Sequence, residues 1–588
     1  MLPEPGSRVR PLSVVGELVA DGTTVAVGGT WTSARPMAAV RELIRAGRRD
    51  LTVVSLTASL ELDLLVGAGA ARRAVFCFAS LGPFGLAPRV RAAAEAGRLE
   101  LDEHTGHGLT VALEASSRGL DFLPFHGPVG TALAGRYPTV ASPVSGEPVE
   151  VSAALPVDVA LLHAEAATPD GHVLLPRSVG IDVLTARAAD RVVVTAERVV
   201  ERLPEPAGAR YLSPSEVHAV VEAPWGAHPL ACAPQYGLDW RTLLDYSRRA
   251  STAEGFAEWL ADDLRATESQ RRDRIDDDRR RRLRASGAGG PRRPPSQPPA
   301  VLGDRSESGP PEDSLPKDGP PSPVERIVAC LAGMLADGDT AVLGSFTPIG
   351  YAAVLLAQRT HAPAVDFNAY GFGGTDIGWL GHLGVEGRAV TSGYGPVPFE
   401  ELVGSLRFRG RLAFEPVRPV QVDGGGALNL RELVRPDGGR IRLPGTAGAA
   451  EVLEMHRRPL AYLTDHSRRT CVPVVDDASL RAHLPHEARA AFRLVTDLAV
   501  LEFTAAGWQV VSRHPGVSAE QLVGATGFAV LGAESAPTTP EPDRNVVELL
   551  RTEVDPLALT ELERLGGRQR IEQLSRRLET EERLLLGE

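Results

Sequence analysis

The sequence predicts an α/β protein: two related domains, each a mostly parallel sheet flanked by helices, joined by a disordered linker. Three observations predict it. Apolar runs of strand length alternate with helical stretches along both halves. A single proline- and arginine-rich stretch interrupts the chain, and a strand-loop-helix passage near the start recurs after it.

The first copy of that passage, VADGTTVAVGGTWTSARPMAAVRELI, runs from Val19 to Ile44. Asp21-Gly22 makes a turn, an apolar run makes a strand, and Gly28 ends it. A short loop with a proline then opens a helix over residues 37–44. LTVVSL (51–56), AVFCFASL (74–81), DVALLHAEA (158–166) and DRVVVTAE (190–197) follow as buried strands. From residue 269 to 323, Pro, Gly, Ser and charge dominate, with too little apolar surface to offset the entropy of ordering. The arginines there alternate with aspartates, which favours a solvated linker over a nucleic-acid patch. The second copy, LADGDTAVLGSFTPIGYAAVLLAQ, runs from Leu335 to Gln358, with Asp337-Gly338 and Gly344 in matching places. Strands at APAVDF (362–367), PVQVD (419–423), LAYLTDH (460–466) and LAVLEFT (498–504) complete this half. The expected domains are therefore 1–268, a linker at 269–323, and 324–558. A charged helical extension at 559–588 reads as a dimerisation or docking element.

Composition narrows the function. The 588 residues carry a formal charge of -12, against a nucleic-acid partner. Cys77, Cys232, Cys330 and Cys471 are dispersed with no CxxC pair, which argues for a reducing compartment and against a disulfide framework or a structural zinc. No segment reads as a signal peptide or membrane span, so a cytoplasmic protein without a membrane partner is expected. VAVGGTW lacks the GxGxxG spacing, so nicotinamide binding is not indicated.

Several ordered stretches carry a resemblance. FLPFHGPVGTAL, PVDVALLHAEAATPDGHV and AVVEAPWGAHP lie in the first half. QVDGGGALNL, RLPGTAGAAE, DHSRRTCVPVVD, HPGVSAEQLVGATGF and RTEVDP lie in the second. Together with the strand-loop-helix passages they resemble family I CoA-transferases of the glutaconate CoA-transferase type, with A-like and B-like subunits fused in one chain. The resemblance implies an active site between the halves, an acyl-CoA substrate, a homodimer, and no cofactor or metal, since CoA arrives with the substrate. It also implies a B-side glutamate that attacks the thioester and an oxyanion loop on the A side. That loop corresponds to Gly28, Gly29, Thr30 and Trp31. Substrate-binding roles extend to His126, Gly371, Gly445 and Gly448.

The nucleophile departs from the pattern. The glutamate's position falls on Tyr370 or Ala369, and no glutamate occurs between Glu325 and Glu386. Asp366 and Asp376 are the alternatives for a carboxylate. The chain is also similar to CoA-transferase-like hydrolases that open a ring in steroid breakdown and lack the same glutamate. In that branch an acidic A-side residue serves as acid/base, which points to LELDEHTGHGLTV: Glu103, with His104 or His107 as alternates. Tyr370 remains a hydrogen-bond donor. Three readings stand at this point: cleavage of a CoA ester by water, CoA transfer through another carboxylate, and CoA-ester binding without turnover.

Overall fold

A computed structural model describes residues 6–290 and 319–588, except 129, 178–179, 207, 345, 370–371, 375–376, 384–398, 403–411, 452–455 and 483–490. In the first half seven strands form one sheet: β1 (Thr24–Val27), β2 (Leu51–Val54), β3 (Ala71–Phe76), β4 (Glu100–Glu103), β5 (Val157–Ala164), β6 (Ala189–Ala196) and β7 (Ala219–Glu222). Their order is β7-β6-β5-β1-β2-β3-β4, and every pairing is parallel. Both faces are covered, so the neighbours Val25 and Ala26, and likewise Val53 and Val54, are all buried, and these strands read as continuous apolar runs. The order reverses at β1, so its C-terminal end is the crevice where α/β sheets bind ligands.

The second half repeats the plan with a longer, mixed sheet. Its strands are β8 (Thr340–Leu343), β9 (Asp366–Ala369), β10 (Phe372–Gly374), β11 (Phe414–Val417), β12 (Arg458–Leu463), β13 (Arg493–Thr496), β14 (Ala499–Thr504), β15 (Gly507–Arg513) and β16 (Val530–Leu531). The order is β10-β9-β8-β11-β12-β13-β14-β15-β16. Pairings from β9 to β13 are parallel, and β8 again stands at the reversal point. The helices predicted after the two loops span Met37–Arg45 and Pro348–Thr360.

Three expectations change. The strand foreseen at 362–367 starts at Asp366 instead. The stretch before it is a turn in which the Ala364 amide donates to Asp337 Oδ1 at 2.7 Å, and Pro363 withholds a ladder donor. The run at 419–423 belongs to a small side sheet. The main sheet takes Phe414–Val417, whose Pro416 disguised it. Thirdly, the arginine-rich stretch does not begin a linker at 269. It forms helices over Glu268–Asp273 and Asp277–Gly287, while 291–318 lies outside the described residues.

The C-terminal extension explains that helix. Its helix Gly567–Leu586 packs along Asp277–Gly287 and clasps both halves. Glu582 accepts from Trp240 Nε1 at 2.8 Å and from Arg241, with Arg282 3.7 Å away. Glu581 accepts the backbone amides of His382 and Leu383. Arg281 and Arg282 pair with Asp278 and lie against Glu588 and Glu582 of the extension. Among the described residues, no helix is long and apolar enough to cross a membrane.

Candidate active site

The halves join along a backbone seam. The Ala79 amide donates to Pro444 O at 2.8 Å, and the Ala447 amide donates to Cys77 O at 3.0 Å. One step on, the Gly106 amide donates to Ala447 O at 2.8 Å. Gly445 has φ +112°, and a Cβ there would stand 2.6 Å from Cys77 O and 2.9 Å from Glu103 Oε1. This glycine permits close approach of the first half's backbone. Gly448 plays a similar part, its Cα 3.3 Å from where a Gly106 Cβ would be.

A cavity of about 370 Å³ opens beside the seam. The first half contributes Trp31, Thr57 and Phe78 to its wall. The second contributes Thr347, Glu415, Arg418, Gly445 and Thr446, and the C-terminal extension adds Arg570. The cavity lies at the C-terminal end of β8, whose next residue, Gly344, also lines it.

The Gly28–Trp31 loop reaches the cavity only through Trp31. Its amides are committed inward: Gly28 to Leu161 O, Thr30 to Ser33 O, and Trp31 to Thr57 O. Gly29 donates to Asp182 Oδ1 at 2.7 Å. These backbone donors are thus already engaged by acceptors within the first half. Three donors on lining residues do lack an acceptor among the described residues: the Trp31 indole Nε1, the Thr446 hydroxyl and the Arg570 Nε. Trp31 packs on Phe78 with ring centroids 5.6 Å apart.

Glu103 ends β4 and is buried, one layer behind the cavity wall. Its Oε2 accepts from Arg431 Nε at 2.9 Å and from Arg442, so the carboxylate ties the first half to two cations of the second. Its Oε1 has no hydrogen-bond partner among the described residues. His104 is wedged against Arg136 and Asp102, with Tyr137 Oη 3.3 Å from Nδ1. Burial, then Arg136, pull its pKa down to about 3, leaving a neutral ring that is a poor base at pH 7. His107 is buried beside Phe125, ring centroids 5.4 Å apart. His126 is exposed and does not line the cavity. Tyr370, Gly371 and Asp376 lie outside the described residues. Asp366 starts β9, paired with Thr340 at the opposite strand end from the cavity loop. With about 3.3 Å per residue, it stands too far back to attack a substrate there.

Sequence reading missed the carboxylate that does line the cavity. Glu415 sits on β11, 5% exposed, and His456 Nε2 lies 3.3 Å from its Oε2. A lone acid inside the apolar run LAFEPV was the available signal. The other buried histidines are architectural. His163 bonds Thr195 and Glu197, His228 bonds Asp239, His466 bonds Thr496 and Thr526, and His514 bonds Thr539 and a backbone carbonyl. Cys77 donates to Leu56 O, and burial, then Glu451 and Glu103, push its thiol well up, which makes it inert.

Known proteins agree with this two-part arrangement. Residues 13–223 match the family described as Coenzyme A transferase. One of the two subunits of the 3-oxoadipate CoA-transferase of Pseudomonas knackmussii is 34% identical over 259 residues, 43% of this chain and 92% of that protein. The other subunit of the same enzyme is 29% identical over 152 residues, 24% of this chain and 58% of that protein. The cholesterol ring-cleaving hydrolase IpdA subunit of Mycobacterium tuberculosis is 33% identical over 266 residues, 42% of this chain and 90% of that protein. An acyl-CoA transferase from E. coli O157:H7, solved as a thioester complex with CoA, shares the fold across both halves. It covers 93% of this chain and 98% of its own, with a TM-score of 0.63 at 13% identity. The chain thus belongs to the coenzyme A transferase family of enzymes.

Proposed function

We propose that this enzyme acts on an acyl-CoA thioester and cleaves it with water, by hydrolysis or by C–C cleavage, without a glutamyl-CoA intermediate. The observation that carries this reading is the missing nucleophile: the chain has Asn368 and Ala369 at the end of β9 and no glutamate between Glu325 and Glu386. The likeness to the ring-cleaving hydrolase protein supports it.

Glu415, backed by His456, is the candidate general base. It takes a proton from water as the oxygen adds to a substrate carbonyl, and returns it to the departing thiolate or carbanion. Trp31 Nε1 and the Thr446 hydroxyl are the candidate donors to the oxyanion. Glu103 holds Arg431, Arg442 and the Pro444–Ala447 segment in place, a positioning role. The domain limits from sequence, shortened at the linker, a cytoplasmic location and a two-copy assembly complete the proposal.

One observation favours a second reading. A buried glutamate facing the cavity from a neighbouring strand is also a displaced nucleophile for CoA transfer. A single experiment separates the two: incubate the chain with glutaconyl-CoA, 3-oxoadipyl-CoA or a cyclic 1,3-diketone CoA ester, with and without acetate. Acceptor-independent products, lost about 10²–10⁴-fold in kcat/KM in Glu415→Gln, are expected. Acetyl-CoA formation with a borohydride-sensitive enzyme–CoA thioester overturns water cleavage in favour of transfer. Saturable binding without turnover would sink both.

A further inference from the structure

The C-terminal extension contributes more than a clasp. Arg570 lies in the first turn of the helix Gly567–Leu586 and lines the interface cavity beside Arg418. Its guanidinium carbon sits 5.4 Å from the centre of the Phe346 ring, another lining residue. Its Nε is buried with no acceptor among the described residues. The nearby buried carboxylate, Glu563, attracts this cation but is shared among other donors. Glu563 accepts from the Ile349 amide at 3.0 Å and from Tyr462 Oη at 2.8 Å, and Arg418 Nε lies 3.4 Å from its Oε2.

Three features of this placement are unfavourable for the empty protein. Burial disfavours a cation whose Nε has no acceptor among the described residues. Arg418 is a like charge close by, and burial, then Arg418, pull the Arg570 pKa down. A helix N-terminus repels positive charge, and this one has no acidic residue in its first turn. A local cost that Glu563, already shared with Arg418, offsets only in part is the mark of a ligand site.

We propose that Arg418 and Arg570, over the face of Phe346, form an oxyanion subsite of the interface cavity, completed by the C-terminal extension. The ligand chemistry is a carboxylate or phosphate oxyanion, which guanidinium groups bind through charge-assisted hydrogen bonds. On the acyl-CoA reading above, on which this rests for its biological ligand, it belongs to the CoA phosphates or to a carboxylate on the acyl group.

Calorimetric titration of the full chain with four probes tests it: CoA, pantetheine, inorganic diphosphate and glutarate. Arg570→Gln is expected to weaken an anionic probe about 10- to 100-fold and leave neutral pantetheine unchanged. Parallel losses for CoA and diphosphate assign the CoA phosphates. A loss for glutarate with CoA unchanged assigns an acyl carboxylate. Arg570→Lys, which keeps the charge without the planar fork, should fall between wild type and Gln, and it serves if the Gln variant unfolds. Wild-type affinities for every probe in Arg570→Gln overturn the subsite while leaving CoA binding standing. Arg570-dependent diphosphate or glutarate binding without CoA binding upholds the subsite and removes the acyl-CoA reading. No binding of any probe to wild type removes both.

Discussion

The same strand-loop-helix passage occurs twice in this chain, and the two copies are braced in opposite ways. In the first half the loop after β1 is locked from inside. Arg35, fully buried, donates to the carbonyls of Gly28 and Trp31 and to Ser55 Oγ, and pairs with fully buried Glu61 at 3.3 Å. Asp182 takes the Gly29 amide from below. In the second half the loop after β8 opens to the cavity through Gly344 and Thr347. Its helix start is held from outside, by Glu563 of the C-terminal extension. The two copies share one architecture and differ in their bracing, and both reach the cavity, the first through Trp31 and the second through Gly344 and Thr347.

The largest test of that contrast is Glu61→Gln. The change leaves Arg35 a buried charge with only the more distant Asp182 opposite it, a loss of up to about 3–5 kcal/mol. Native-state hydrogen exchange at the Gly29 and Trp31 amides should lose protection by that order, with Ile349 unaffected. A loss below about 1 kcal/mol would mean that the first loop is not held by this pair.

Asp182 supplies the next effect, through pH. Burial raises its pKa to about 6 from an ordinary 3.8. The folded state therefore holds a proton that the unfolded state has released between those values, so stability falls as pH rises from about 4 to 6 and the full penalty stands above that. A shift of about two units is worth at most about 3 kcal/mol. Asp182→Asn keeps an acceptor for the Gly29 amide and removes the titration. Urea unfolding of the first half at pH 4 and pH 7 should show a smaller decline in the variant. Identical pH slopes in the two proteins would remove Asp182 from this role.

Much of this was legible in the sequence, for physical reasons that particular residues show. Asp21-Gly22 and Asp337-Gly338 predicted turns because a left-handed φ favours glycine, and Gly22 and Gly338 have φ +81° and +78°. The buried strands were legible because two-sided burial demands apolar runs. What stayed hidden depends on long-range pairing. Pro416 made β11 look unlike a strand, and its Glu415 went unread with it. Arg281 and Arg282 looked solvated because the glutamates of the extension that meet them, Glu588 and Glu582, lie some 300 residues away. The Gly28–Trp31 glycines were legible as a close-packed loop, but which acceptors its amides use is set by Asp182 and Thr57, which no local pattern announces.

The smallest expected effect probes the outer brace. Glu563→Gln preserves an oxygen for the Ile349 amide and a polar partner for Tyr462, and removes only the charge that faces Arg418. Arg418 is about a third exposed, so solvent screening discounts the loss to about 1 kcal/mol. Exchange at the Ile349 amide and the start of the helix Pro348–Thr360 should quicken by that amount, while Gly29 and Trp31 keep wild-type protection. Equal loosening of both loops would show that they share one brace through the cavity, and the contrast between an inner-locked and a tail-held copy would have to be given up. An effect confined to the second loop would instead give the C-terminal extension a measurable hold on the substrate side, because the glutamate that caps this helix and the arginine that lines the cavity lie on either side of the short extended link between two consecutive turns of the same extension.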